Sequence, residues 1–149
     1  AERLQGTIGF DSAFTSYDGY LNFSSKFPNL EWKPVSSPLR QMRLYKSPEE
    51  VAALRRAAQV TADGQTWIQG LLKEGISEAQ LALAFEEFCR RNGASGMAFE
   101  PIIAFGENSA YPHYRGGMAR LEPGQIVLMD TGAIVDHYHG DRTRMAFFG

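Results

Sequence analysis

Apolar positions recur at helical spacing through the middle of the chain and at strand spacing through its last third. Ser47-Pro48-Glu49-Glu50 offers an N-cap serine, a proline at the first helical position and a glutamate three residues after the cap. The helix it opens carries Val51, Leu54, Ala58, Trp67, Ile68 and Leu71 as its expected apolar stripe, with Gly75 as the stop. Ser77-Glu78-Ala79-Gln80 is a second capping box. Leu81, Ala84, Phe85 and Phe88 follow at i, i+3, i+4 and i+7, and Arg90, Arg91 and Gly93 mark the end.

After Gly96 the period shortens. Strands are predicted at Pro101 to Phe105, Gln125 to Ala133 and about Tyr138 to Phe148, with a turn at Leu121-Glu122-Pro123-Gly124. The Asp136-His137 region would link the last two strands as antiparallel neighbours, which brings Asp130 and Asp141 close across the ladder. Before Ser47 no period is sustained. Gly, Ser, Pro and aromatic residues mix there, as in strands and loops whose partners lie elsewhere. The order helix, helix, strand, strand, strand shows no βαβ alternation, so the fold class expected is α+β, with helices on one face of an antiparallel sheet.

Composition narrows the function. At 149 residues, 44% hydrophobic and 21% charged, the chain can build a sizeable core. Its net charge of -2 is spread without long runs of either sign, which disfavours nucleic acid or anionic lipid as a partner. No apolar stretch approaches the roughly 20 residues of a membrane span, and no basic segment followed by an apolar core opens the chain. Cys89 cannot form an intramolecular disulfide and sits at core spacing with Phe85 and Phe88, so a reducing, cytoplasmic setting is expected and a catalytic thiol is not.

The candidate chemistry gathers late in the chain. Asp130 closes the apolar run Ile126-Val127-Leu128-Met129, where burial of a carboxylate is costly unless something positive lies against it. Asp141 follows in Gly140-Asp141-Arg142-Thr143-Arg144, and His113 precedes both in Tyr111-Pro112-His113-Tyr114. Two carboxylates and an imidazole suit a divalent cation that works on water. Taken singly, each residue has a plainer reading: Asp130 paired with Arg142 or Arg144, Asp141 as a turn aspartate, His113 as a loop histidine. His137 and His139 alternate with Asp141 and could join a metal, against a plain exposed hairpin. Gly106-Glu107-Asn108 lacks the context of a phosphate loop, and the aromatics Phe10, Phe14, Tyr17, Tyr20, Phe23 and Trp32 are expected in a core.

The segments Pro101-Ile102-Ile103-Ala104-Phe105-Gly106 through Tyr111-Pro112-His113-Tyr114, Leu121-Glu122-Pro123-Gly124, Leu128-Met129-Asp130-Thr131-Gly132-Ala133 and Gly140-Asp141-Arg142-Thr143-Arg144 closely resemble the pita-bread metallopeptidases of the aminopeptidase P and prolidase type. The spacings agree as well, 17 residues from His113 to Asp130 and 11 from there to Asp141. The resemblance covers residues 38 to 149 well and the rest weakly. It implies the tail of an N-terminal domain at 1-38 and the first helix-helix-strand-strand half of the catalytic domain at 39-149. It also implies two divalent ions, manganese ahead of cobalt or zinc, with Asp130 and Asp141 as metal ligands. His113 stands beside them as the catalytic histidine that meets the substrate, and Thr143 supports the carboxylates.

The family completes its site with a histidine and two glutamates further along, whereas this chain stops at Gly149, so the resemblance implies a fragment with little or no activity of its own. The activity expected of the whole enzyme is hydrolysis before a proline at the second position of a peptide. Xaa-Pro aminopeptidase stands ahead of Xaa-Pro dipeptidase. A non-catalytic pita-bread binding module and a metal-independent enzyme of the creatine amidinohydrolase kind are the alternatives. Asp130, Asp141 and His113 together argue against the former, and the latter normally lacks these aspartates. An open face would also favour self-association as a homo-oligomer.

Overall fold

A computed structural model describes residues 5–149. They form two compact units that divide between Lys46 and Ser47.

The first unit holds β1 (Gly6–Asp11), α1 (Tyr17–Lys26), β2 (Leu30–Val35) and α2 (Pro38–Met42). β1 and β2 pair in parallel, Gly6 opposite Leu30 through Asp11 opposite Val35, with α1 as the crossover. The sequence suggested only strands and loops here. The helix was hidden because aromatics occupy it, yet Ser16 caps it by accepting from the Gly19 N–H at 3.1 Å. The expected aromatic core is realised only in part. Phe10 stacks on Tyr20 and Phe23 on Trp32, whereas Phe14 and Tyr17 are exposed.

The second unit opens with α3 (Pro48–Gln69), whose capping box is complete: the Ser47 Oγ accepts from Glu50 N, and the Glu50 carboxylate accepts from Ser47 N. The expected stripe is corrected. Val51, Ala58 and Trp67 face outward, and the buried face is Ala53, Ala57, Thr61, Gly64, Gln65 and Ile68. Small side chains win there because strand backbone and an aromatic ring approach closely; a Cβ on Gly64 would meet the Phe85 ring at 2.7 Å. The helix ends at Gly70, earlier than the expected Gly75. α4 (Glu78–Arg91) also has a complete capping box, at Ser77 and Gln80, and buries Leu81, Phe85 and Cys89.

Six strands follow: β3 (Gly96–Met97), β4 (Ile102–Phe105), β5 (Gln125–Thr131), β6 (Ala133–Val135), β7 (Tyr138–His139) and β8 (Arg142–Phe148). They form two antiparallel sheets, β3-β6-β7 and β4-β5-β8. The predicted continuous strand from 125 to 133 is interrupted at Gly132, and the one from 138 to 148 at Gly140 and Asp141. A Cβ on Gly132 would run into the Gly140 carbonyl, and one on Gly140 into Thr61 and the Ala57 backbone of α3, so neither position has room for a Cβ, and each strand crosses from one sheet to the other there. Val135, Asp136, His137 and Tyr138 make a two-residue hairpin with positive φ at both central residues, 49° and 67°. The expected antiparallel neighbours therefore exist in two sections, β6 with β7 and β5 with β8, in one continuous register about that turn.

The inner face of β5, Val127, Met129 and Thr131, lies buried in one core with Ile68, Leu81 and Phe85 of the helices. Strand alternation turns Leu128 and Asp130 to the opposite face. Among the described residues no helix is long and apolar enough to cross a membrane.

Candidate metal and catalytic site

The site forms on the outer face of β4-β5-β8. Register places Ile102, Asp130 and Thr143 in one row across the three strands, and Asp141 stands two residues before Thr143. Asp130 is half-buried, and its Oδ1 accepts from the Thr143 hydroxyl at 2.8 Å. This bond holds the carboxylate of a residue that lines the pocket of the site. Neither Asp130 nor Asp141 is in an ion pair among the described residues, so the plainer pairing with Arg142 or Arg144 is not what the structure holds; Arg144 donates instead to the Thr143 carbonyl at 2.8 Å.

Asp130, Asp141 and His113 line one pocket of about 390 Å3 together with Phe99, Glu100, Ile102, Tyr114 and Arg115. Phe99 and Ile102 give it an apolar wall, and Glu100 and Arg115, 3.9 Å apart, a charged rim. His113 reaches the pocket from a loop. After β4 a 3-10 turn (Gly106–Ala110) leads to Tyr111-Pro112-His113-Tyr114, a turn closed by Tyr114 N donating to Tyr111 O at 3.2 Å. Proline presets its second position, and His113 takes the third with φ 54°. A residue with a Cβ is strained in that region, and such strain recurs where a side chain must point at a ligand.

The donor set fits hard divalent cations: two carboxylates with free oxygen lone pairs on one face, one of them held by a hydroxyl. It is a partial set. Among the described residues no three His, Cys, Asp or Glu side chains gather in an arrangement that could hold a metal. His137 lies in the hairpin turn and His139 on β7, both exposed and outside the pocket, because the crossing at Gly140 carries Asp141 into the other sheet. Cys89 is fully buried, and desolvation first, with the Glu86 charge second, pushes its thiol up to about 12.

Two supporting residues escaped the sequence. Gln65 on α3 donates through Nε2 to Met129 O at 3.2 Å, Thr131 Oγ1 at 3.1 Å and Arg142 O at 2.7 Å, tying β5 to β8 on the rungs beside the two aspartates. Glu78 is buried to 0% exposure and gathers four hydrogen bonds around the His113 loop. Only its place in the first turn of α4 was legible. Burial, followed by the hydrogen bond and charge of Glu78, holds the Tyr114 phenol above its ordinary value.

Helices on one face of an antiparallel sheet and carboxylates on the other are the pita-bread arrangement, here present in part. The chain belongs to metallopeptidase family M24, whose profile matches residues 52–149. It is 32% identical over 143 residues to an Xaa-Pro dipeptidase of Pyrococcus furiosus, covering 96% of this chain and 41% of that protein. To an Xaa-Pro aminopeptidase of Escherichia coli it is 34% identical over 123 residues, 83% of this chain and 27% of that one. The solved structure of an Xaa-Pro dipeptidase from Bacillus anthracis superimposes with a TM-score of 0.92 at 30% identity, over 97% of this chain and 40% of that chain. The chain thus spans about 40% of the length of the first curated relatives it matches.

Proposed function

We propose that this chain is part of a proline-selective metallopeptidase, in which residues 39-149 supply the first half of the catalytic domain and 1-38 the end of a preceding domain. The whole enzyme would cleave the bond before a proline at the second position of a peptide. The observation that carries this reading is the convergence of His113, Asp130 and Asp141 on one pocket in a chain of family M24.

Asp130 and Asp141 would hold two divalent ions, manganese ahead of cobalt and zinc. When bound, such ions lower the pKa of water and stabilise charge that develops on a carbonyl oxygen. The chain's own residues do the rest. Thr143 donates to Asp130 Oδ1 and so holds that carboxylate in one orientation. His113, presented by its turn, brings an imidazole to the pocket that can hydrogen-bond a bound peptide. Phe99 and Ile102 offer an apolar wall that a pyrrolidine ring would fill without desolvating a polar group. With only two carboxylates, each ion would keep most of its water and bind weakly, and we expect little cleavage by this chain alone.

Aminopeptidase is preferred over dipeptidase on the Pro101 to Gly106 and Tyr111 to Tyr114 segments. One observation favours the dipeptidase: Arg115 on the pocket rim is a cation that a free C-terminal carboxylate of a dipeptide would meet. The test is manganese calorimetry on this chain and on Asp130→Asn, with cleavage of an Xaa-Pro peptide assayed on the same samples. Weak binding that Asp130→Asn abolishes, without cleavage, supports the half-site. Equal binding by both proteins would remove Asp130 from the metal.

A further inference from the structure

Glu78 is a buried carboxylate with no cation against it among the described residues. A charge so placed is kept only where donors saturate it. Four do. Oε1 accepts from Phe105 N at 2.9 Å and Asn108 Nδ2 at 3.0 Å, and Oε2 accepts from the Tyr114 hydroxyl and Gly117 N, both at 2.9 Å. The first turn of α4 adds its favourable dipole.

The donors are not scattered. Phe105 ends β4, Asn108 lies in the 3-10 turn, Tyr114 follows His113 directly and Gly117 closes the loop. One side chain therefore grips the start, the middle and the end of the segment that carries His113. That segment needs a grip, because His113 sits at φ 54°, and strained conformations persist only where their surroundings over-determine them. The backbone continues the hold, with Ala79 N donating to Gly117 O at 3.0 Å and Glu78 N to Ala119 O at 3.2 Å.

We propose that Glu78 is a positioning residue for His113: its carboxylate pins the loop from Gly106 to Gly117 so that the imidazole is presented to the pocket lined by Asp130 and Asp141. The catalytic part of this statement rests on the function proposed above, and the pinning does not. Glu78→Gln is the informative change, because it keeps the shape and removes one acceptor. The carbonyl oxygen can still serve Phe105 and Asn108, and the tyrosine hydroxyl can turn to accept from the new NH2. Gly117 N–H is then left facing a donor.

Amide hydrogen exchange by NMR on this chain, without metal, reads the pinning. The expected result is exchange about tenfold or more faster at Gly117 and Tyr114, with Leu81 to Cys89 and Val127 to Met129 unchanged. Uniform acceleration across the domain would make Glu78 a general stabiliser and overturn the proposal, as would no change at Gly117. If Glu78→Gln does not fold, Tyr114→Phe and Asn108→Ala each remove one donor and are read in the same way. Titration with manganese then reads the presentation of the imidazole. Paramagnetic broadening is expected at both His113 and Thr143 in the parent, and at Thr143 but much less at His113 in Glu78→Gln. Equal broadening of His113 in both proteins refutes the positioning role. Broadening of neither residue in the parent refutes the metal reading alone, and the exchange result still decides for or against the pinning.

Discussion

Gly140→Ala tests the packing that brings Asp141 to its place. A Cβ at this buried position would fall 2.4 Å from Thr61 Oγ1, 2.7 Å from the Ala57 carbonyl oxygen and 3.1 Å from its carbon. The φ of Gly140 is not in the left-handed region, so the penalty is steric rather than conformational. Neither neighbour gives way easily. Ala57 is helix backbone, and Thr61 Oγ1 is committed at both ends, donating to Ala57 O at 2.8 Å and accepting from Ala133 N at 3.0 Å. Overpacking of this kind costs about 1–3 kcal/mol, and stiffening the unfolded chain by Gly→Ala returns about 0.4–1 kcal/mol. The net loss is about 1–2 kcal/mol, which for a unit of this size lowers Tm by roughly 4–8 °C per kcal/mol. Urea denaturation followed by circular dichroism measures it, beside Gly117→Ala, where nothing lies within 4 Å of the new Cβ and little change is expected. A Gly140→Ala protein within about 0.5 kcal/mol of the parent would refute the claim that α3 and the strand crossing are in contact here.

Two further outcomes follow from local chemistry. The Cys89 thiol keeps its proton up to about 12 in the fold against an ordinary 9.0, so its contribution is complete below about pH 9 and is lost as pH rises toward 12. The loss should reach about 1.4 kcal/mol per pH unit in that window and be absent from Cys89→Ala; parallel alkaline stability curves for the two proteins would contradict it. Ser47→Ala removes the hydroxyl that accepts from Glu50 N at 3.3 Å, and should destabilise α3 by about 1 kcal/mol, seen as a lower urea midpoint with an unchanged slope.

The helix starts at Ser47 and Ser77 were legible because each cap is a bond between residues three apart, and the turn before β5 because Pro123 and Gly124 suit its dihedrals, Gly124 taking φ 86°. His113, Asp130 and Asp141 were legible as residue types at a spacing. Their meeting in one pocket depends on register: the Asp136-His137 turn pairs Val135 with Tyr138 and, in the same register beyond the crossings, Asp130 with Thr143, so the expected closeness of Asp130 and Asp141 across the ladder is what the structure holds. The buried face of α3 was misread for a related reason. Apolar periodicity assumes that burial follows hydrophobicity, whereas here the closeness of strand backbone selects Ala57 and Thr61, and that of the Phe85 ring selects Gly64, over Val51 and Trp67.

The amino-acid order by itself therefore determined the caps, the turns and the two helices of the second unit, since each rests on dihedral preferences or on bonds spanning a few residues. Only the tertiary structure decided which helix face is buried, where the strands cross between sheets, and that Glu78 holds the His113 loop. Those outcomes rest on contacts between positions 27 to 39 residues apart for Glu78 and 64 to 77 for Gln65, whose partners no local pattern encodes.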